Sequence, residues 1–120
     1  MKIEENISLK ALHTFGCQVE AKYFTSIKKE EEIPELIEWT KANNIPLIII
    51  GGGSNILFIN NANLLVAKME IMGIRKIEET ATEVILRVGA GENWHHFVNY
   101  CLQKSWGGIE NLSLIPGTVG

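Results

Sequence analysis

Leu47-Ile48-Ile49-Ile50 is an aliphatic run cut off by Gly51-Gly52-Gly53, followed at once by Ser54 and Asn55. No other stretch limits the possible folds as much. Four branched or long aliphatics in a row suit a strand buried on both faces. Three glycines then open backbone conformations closed to other residues and let the main chain approach a ligand closely. Successive unhindered N–H groups can converge on one anion as a nest, and Ser54 and Asn55 add short donors beside it. A plain tight turn is the competing reading. The apolar run Ile56-Leu57-Phe58-Ile59 resumes immediately, so the polar loop lies between buried segments, which suits a phosphate cradle better.

Two familiar cradles are excluded by the letters. The dinucleotide fingerprint needs a third glycine where Ile56 stands, and it must open a helix. The P-loop needs a lysine beside its last glycine, and none occurs between Lys41 and Lys68. Asn60-Asn61-Ala62-Asn63 is a turn cluster, so a strand–loop–strand nest is expected rather than a helix N-terminus.

Val19 to Ile27 reads as a strand. Glu30-Glu31-Glu32 then place charge where a helix start favours it, and Pro34 is tolerated in a first turn. Ile33, Leu36, Ile37 and Thr40 follow at helical spacing until Asn43-Asn44. With Leu47–Ile50 this forms a βαβ candidate. Short strands are expected near 64–68, 74–77 and 84–88, and an amphipathic helix from about Glu92 to Lys104 carries Trp94, Phe97, Val98, Cys101 and Leu102 on its apolar stripe. A boundary near Glu70–Gly73 divides the chain into 1–70, a βαβ unit, and 71–120, a second and incomplete set of elements. The tail Gly107-Gly108-Ile109-Glu110-Asn111-Leu112 to Pro116-Gly117-Thr118-Val119-Gly120 offers a second glycine-bearing loop. Alone, Pro116-Gly117 means a turn; beside a nest it can carry further donors.

Composition narrows the function classes. Hydrophobic residues make up 46% and charged residues 21%, which indicates a folded, soluble domain. The net charge of −3, with no basic cluster beyond Lys28-Lys29, argues against a nucleic-acid partner. No apolar run reaches the roughly 18 residues of a membrane span, and the acidic N-terminus lacks a secretory h-region. Cys17 and Cys101 show no metal-ligand spacing and suit a reducing, cytoplasmic compartment. His95 and His96 sit about 100° apart on a helix and do not readily share a metal. Glu92 is expected to cap its helix, Trp94 to lie in the core, Trp39 to be core or surface, and Cys101 to be buried and inert.

Together these segments resemble the UDP-N-acetylenolpyruvoylglucosamine reductases, flavoenzymes of peptidoglycan synthesis. His13-Thr14-Phe15-Gly16 is similar to the family's Asn-Thr-Phe-Gly, with His for Asn. Gly51 to Asn55 resembles its Gly-x-Gly-Ser-Asn loop. Val88-Gly89-Ala90-Gly91-Glu92-Asn93-Trp94 resembles Val-Gly-Ala-Gly-Glu-x-Trp. Gly108 to Leu112 and Ile115 to Gly120 resemble Gly-Leu-Glu-Asn-Leu and Ile-Pro-Gly-x-Val-Gly. The order and spacing of these motifs make the resemblance specific, and it runs over nearly the whole chain.

The resemblance implies an α+β, two-subdomain FAD-binding fold of the vanillyl-alcohol-oxidase-like type, with non-covalent FAD between subdomains. Gly51, Gly52, Gly53, Ser54 and Asn55 would hold the pyrophosphate. Ile115, Pro116, Gly117 and Val119 would run along the flavin and its linker. It also implies NADPH as hydride donor and a nucleotide-sugar substrate. The family's proton-donating serine, glutamate and arginine correspond to positions beyond Gly120, so a truncated chain is expected and no catalytic residue is assigned. Apolar stripes without partners would then leave the isolated chain prone to self-association. Two alternatives stand beside this reading: another flavin oxidoreductase of the same fold, or a non-catalytic nucleotide-binding module. Covalent tethering of flavin through His or Cys is disfavoured, because 51–60 contains neither.

Overall fold

The computed structural model describes residues 1–10, 20–52 and 62–120. It is an α+β slab of 50 × 30 × 16 Å. The elements are β1 (Glu4–Ser8), β2 (Glu20–Ile27), α1 (Glu32–Asn43), β3 (Leu47–Ile50), β4 (Ala62–Met69), β5 (Ile74–Glu79), β6 (Val84–Val88) and α2 (Trp94–Gln103), followed by a 3-10 turn over Glu110–Leu112.

The first sheet has the order β1-β2-β4-β3. β1 is antiparallel to β2, while β2 and β3 both run parallel to β4. The βαβ unit expected from β2, α1 and β3 is therefore a crossover with a gap, and β4 fills the gap. Period-two alternation then sends one set of side chains to each face. Val66 and Ile50 join Phe24 on one face, and Leu65, Ala67 and Ile27 gather under Leu36 of α1 on the other. A register shift in β2 between Ala21 and Tyr23 moves Ala21 onto the Phe24 face. On β1 the residue between the pairs Glu5↔Tyr23 and Ile7↔Ala21 is Asn6, which takes φ 53°. Both strands thus turn together, and Ile7 and Leu9 reach the core on that side. Buried Thr25 is satisfied by donating to the Lys2 carbonyl at 2.8 Å.

The ends of α1 follow from its letters. The Glu32 carboxylate accepts the Lys28 and Lys29 N–H groups at 2.8 and 2.9 Å, tying the incoming loop to the first turn, and Asn44 terminates the helix at φ 52°. Trp39 is half-buried and meets Tyr23 edge-on at 5.1 Å.

The hairpin β5–β6 forms a separate two-stranded sheet. Arg87 on β6 reaches Glu30 at 2.7 Å and links the hairpin to the loop before α1. Glu70 continues β4, its N–H donating to Ile27 O at 2.8 Å, and Gly89 and Gly91 pass so near the residues after Met69 that a Cβ at Gly91 would stand 2.7 Å from Glu70 Cα. The helix stripe is only partly buried. Val98 and Cys101 are enclosed, but Leu102 is 45% exposed, contrary to its expected place in the stripe, because the described residues put no element over it.

Candidate functional site at the carboxyl ends of the parallel strands

In open sheets of parallel strands, ligands bind in the crevice beyond the strands' carboxyl ends. Here β2, β4 and β3 all end at one edge. The residues at and just after those ends line a cleft of about 650 Å³: Lys28 after β2, Lys68 to Glu70 at the end of β4, and Gly51 and Gly52 after β3. Gly91, Asn93 and Thr118 form a further wall, and Met72 also lines the cleft.

That wall is built by main-chain pairing. Gly91 N–H donates to Ile71 O at 2.8 Å, and Gly89 N–H to Gly73 O at 2.7 Å. Val119 N–H donates to Glu92 O at 2.9 Å, Trp94 N–H to Gly117 O at 3.1 Å and Gly120 N–H to Ala90 O at 3.0 Å. Asn93 and Thr118 form the bridge between the two segments. The expected cap needs correcting. Asn93, not Glu92, caps α2, its side-chain oxygen accepting His96 N–H at 3.0 Å, three residues into the helix as a cap requires. Glu92 instead accepts the Gly73 N–H at 2.7 Å and pins the strap that follows the first sheet.

The two glycine loops meet. A Cβ at Gly51 would fall on the Thr118 hydroxyl and lie 2.9 Å from Gly120 O, and one at Gly52 would lie 3.2 Å from Gly117 Cα. Gly117 itself holds φ 113°, which favours glycine. At Gly52 the cleft lining is therefore main chain against main chain, while at Gly51 the Thr118 side chain lies against the backbone. Lys28 and Lys68 stand beside it. Lys68 pairs with Glu70 at 2.9 Å, and that ammonium, reinforced more distantly by Lys28, holds the Glu70 carboxyl below its ordinary range. A concave, glycine-floored cleft with one lysine more than it has carboxylates suits an anionic ligand such as a pyrophosphate.

Of the residues read from sequence, Gly51 and Gly52 line the cleft, while Gly53, Ser54 and Asn55 lie outside the described residues, as do Cys17 and the His13–Gly16 motif. Ile115, Pro116, Gly117 and Val119 run along the stretch that delivers Thr118; Ile115 is 48% exposed. Sequence reasoning passed over Lys28, Lys68, Glu70, Asn93 and Thr118. Most of these follow a strand end or face another loop, so the signal was position relative to strands rather than residue type. Trp94 is half-buried and donates its indole N–H to Leu112 O at 2.7 Å, so it anchors the tail as well as packing. Cys101 is buried, which pushes its thiol pKa up, as an inert thiol should be. Among the described residues no cluster of His, Cys, Asp and Glu could hold a metal, and no helix is long and apolar enough to cross a membrane.

Residues 21–120 match the family model described as an FAD binding domain. The chain belongs to that FAD-binding domain family. The glycine-floored cleft fits the family's ligand class. Among curated relatives, UDP-N-acetylenolpyruvoylglucosamine reductase of Amoebophilus asiaticus is 45% identical over 120 residues, and that of Pseudomonas syringae pv. tomato is 41% identical. Each match covers 100% of this chain and 35% of the relative, so the chain spans about a third of their length. The crystal structure of UDP-N-acetylenolpyruvylglucosamine reductase from Thermus caldophilus superposes with TM-score 0.70 at 23% identity, covering 100% of this chain and 40% of that one; it shares this FAD-binding domain's fold.

Proposed function

We propose that this chain is the FAD-binding portion of an NADPH-dependent reductase that converts UDP-N-acetylenolpyruvoylglucosamine to UDP-N-acetylmuramate in peptidoglycan synthesis. The observation that carries this reading is the meeting of the Gly51-Gly52 and Gly117-Thr118 loops at the carboxyl ends of three parallel strands, in a chain 38–45% identical to reductases of that name. Gly51 to Asn55 holds the pyrophosphate of FAD, with Lys28 adding counter-charge, and Ile115, Pro116, Gly117 and Val119 pass along the flavin side. Bound FAD supplies hydride transfer from NADPH to the enolpyruvyl double bond; this chain's residues bind and orient it. Residues 1–70 form the first FAD-binding subdomain, and 71–120 begin the second. A cytoplasmic location is part of this reading, supported by the need for NADPH and a nucleotide-sugar substrate.

The test is the colour of the purified intact gene product. Wild type should carry yellow flavin, and Gly53→Val should be colourless because the side chain blocks approach to the phosphates. Normal flavin absorbance in that variant would sink the assignment. Ser54→Ala should weaken binding by only about 1 kcal/mol, the worth of one hydrogen bond. The 120-residue polypeptide alone should not reduce the enolpyruvyl substrate with NADPH.

A further inference from the structure

Three consecutive residues at the start of α2 grip the tail at three points. Asn93 bridges Thr118, the Trp94 indole N–H donates to Leu112 O at 2.7 Å, and His95 Nδ1 accepts the Leu114 N–H at 3.0 Å. The third grip differs from the others because of what it holds. Leu114 has φ 62°, a left-handed backbone that crowds any residue carrying a Cβ. It is also 79% exposed, so side-chain burial does not offset the strain. The described contact that favours this conformation is the hydrogen bond to His95.

We infer that His95 is a positioning residue: its unprotonated Nδ1 holds Leu114 left-handed and so aims Ile115–Thr118 at the cleft. The geometry fixes the tautomer. A ring nitrogen that accepts carries no proton, so the neutral ring bears its proton on Nε2. The atom placed 3.2 Å from Nε2 is the Asn99 side-chain nitrogen, so the amide must be turned about to present its oxygen to that N–H. The sequence carries no local sign of this role, since Leu114 shows no feature of a left-handed residue and His95 lies nineteen positions before it.

The loop-aiming part of the inference rests on the FAD-binding reading, whereas the tautomer does not. Ring-nitrogen NMR of the flavin-free intact gene product should show His95 protonated on Nε2 at neutral pH, and a proton on Nδ1 overturns the inference. For FAD affinity, His95→Ala should weaken binding about tenfold, the scale of one lost hydrogen bond. His95→Asn places Oδ1 near the Nδ1 position and should remain close to wild type. His95→Ala combined with Leu114→Gly should recover to within about threefold, because glycine takes the left-handed conformation unaided. If Asn fails to substitute, or glycine at 114 fails to rescue, His95 acts otherwise and the inference falls. If wild type binds no FAD, the functional reading fails, and the ring-proton measurement still decides the role of His95.

Discussion

The four-stranded sheet and the hairpin–helix region treat their apolar side chains in opposite ways. In the first, Leu9, Ala21, Phe24, Ile27, Leu36, Ile50, Leu65, Val66 and Ala67 are buried, on two faces of a sheet closed on one side by α1. In the second, Val98 and Cys101 are the only buried apolar residues among those described, while Ile77 and Ile85 are about half exposed and Leu114 more so. Order in the second region comes instead from main-chain hydrogen bonds and close glycine contacts. A sheet packed by hydrophobic burial is rigid because its interior is dense. A region held by backbone pairing is shaped by it but gains less stability from it, since each hydrogen bond nets only about 1 kcal/mol. One region supplies stability, and the other supplies the shape of the cleft wall.

The largest effect should come from cutting into that asymmetry. Leu65→Ala should cost about 2–5 kcal/mol, as buried leucine truncations do, whereas Val98→Ala should cost about 1–2 kcal/mol. Urea unfolding of both variants decides; equal losses would mean that the two regions share one core. Next, Gly91→Ala drives a methyl into the Glu70 backbone and should cost about 1–3 kcal/mol by overpacking. Gly107 has only a carboxylate near its virtual Cβ, at 3.9 Å, so Gly107→Ala should stay within about 0.5 kcal/mol of neutral or stabilise slightly. Reversal of that order would deny the strap its close contact.

A smaller effect concerns association. Ile77→Lys together with Leu102→Lys should leave the melting temperature of the isolated chain nearly unchanged and reduce its self-association by sedimentation, because the residues removed are exposed. A chain already monodisperse before substitution would contradict this. The smallest effect is on pH dependence. Lys28 and Lys29 N–H groups hold the Glu32 carboxyl below its ordinary range, and Lys68 does the same for Glu70. A carboxylate depressed in the folded state contributes stability above its unfolded pKa, and that contribution is lost as pH falls through the folded one. Glu32→Gln and Glu70→Gln should therefore each flatten the acid limb below about pH 4.3 and leave the slope near neutrality alone. Thermal melts between pH 2 and 6 check the sign.

The sequence carried most of the local structure and little of the assembly. β2, α1, β3 and β6 were legible because aliphatic periodicity and Asn or Gly punctuation coincide there. β1 was not: Glu-Glu-Asn-Ile-Ser has no strand pattern, and it is a strand because it pairs with β2 at the sheet's edge, where charge is tolerated and discourages further pairing. The insertion of β4 between β2 and β3 was also invisible, since parallel partners are chosen by burial on both faces and not by neighbouring letters. At the site, the glycines announced themselves, but as ligand contacts. The packing duty of Gly51 and Gly52 against the tail appears only once residues some sixty positions apart are brought together.

The gapped crossover also sets an order in time. When β2, α1 and β3 have left the ribosome, β2 can pair with β1, but neither β2 nor β3 has its parallel partner, because Tyr23 and Leu47 both pair with Leu65. Synthesis at about 5–20 residues per second makes that a wait of seconds rather than microseconds. Through it, Leu47–Ile50 is an unpaired aliphatic segment available to any passing strand. The arrival of β4 pairs β2 and β3 in one step, so the step that completes the sheet also gives its most aggregation-prone stretch a partner on one edge, while Ile49 stays 54% exposed.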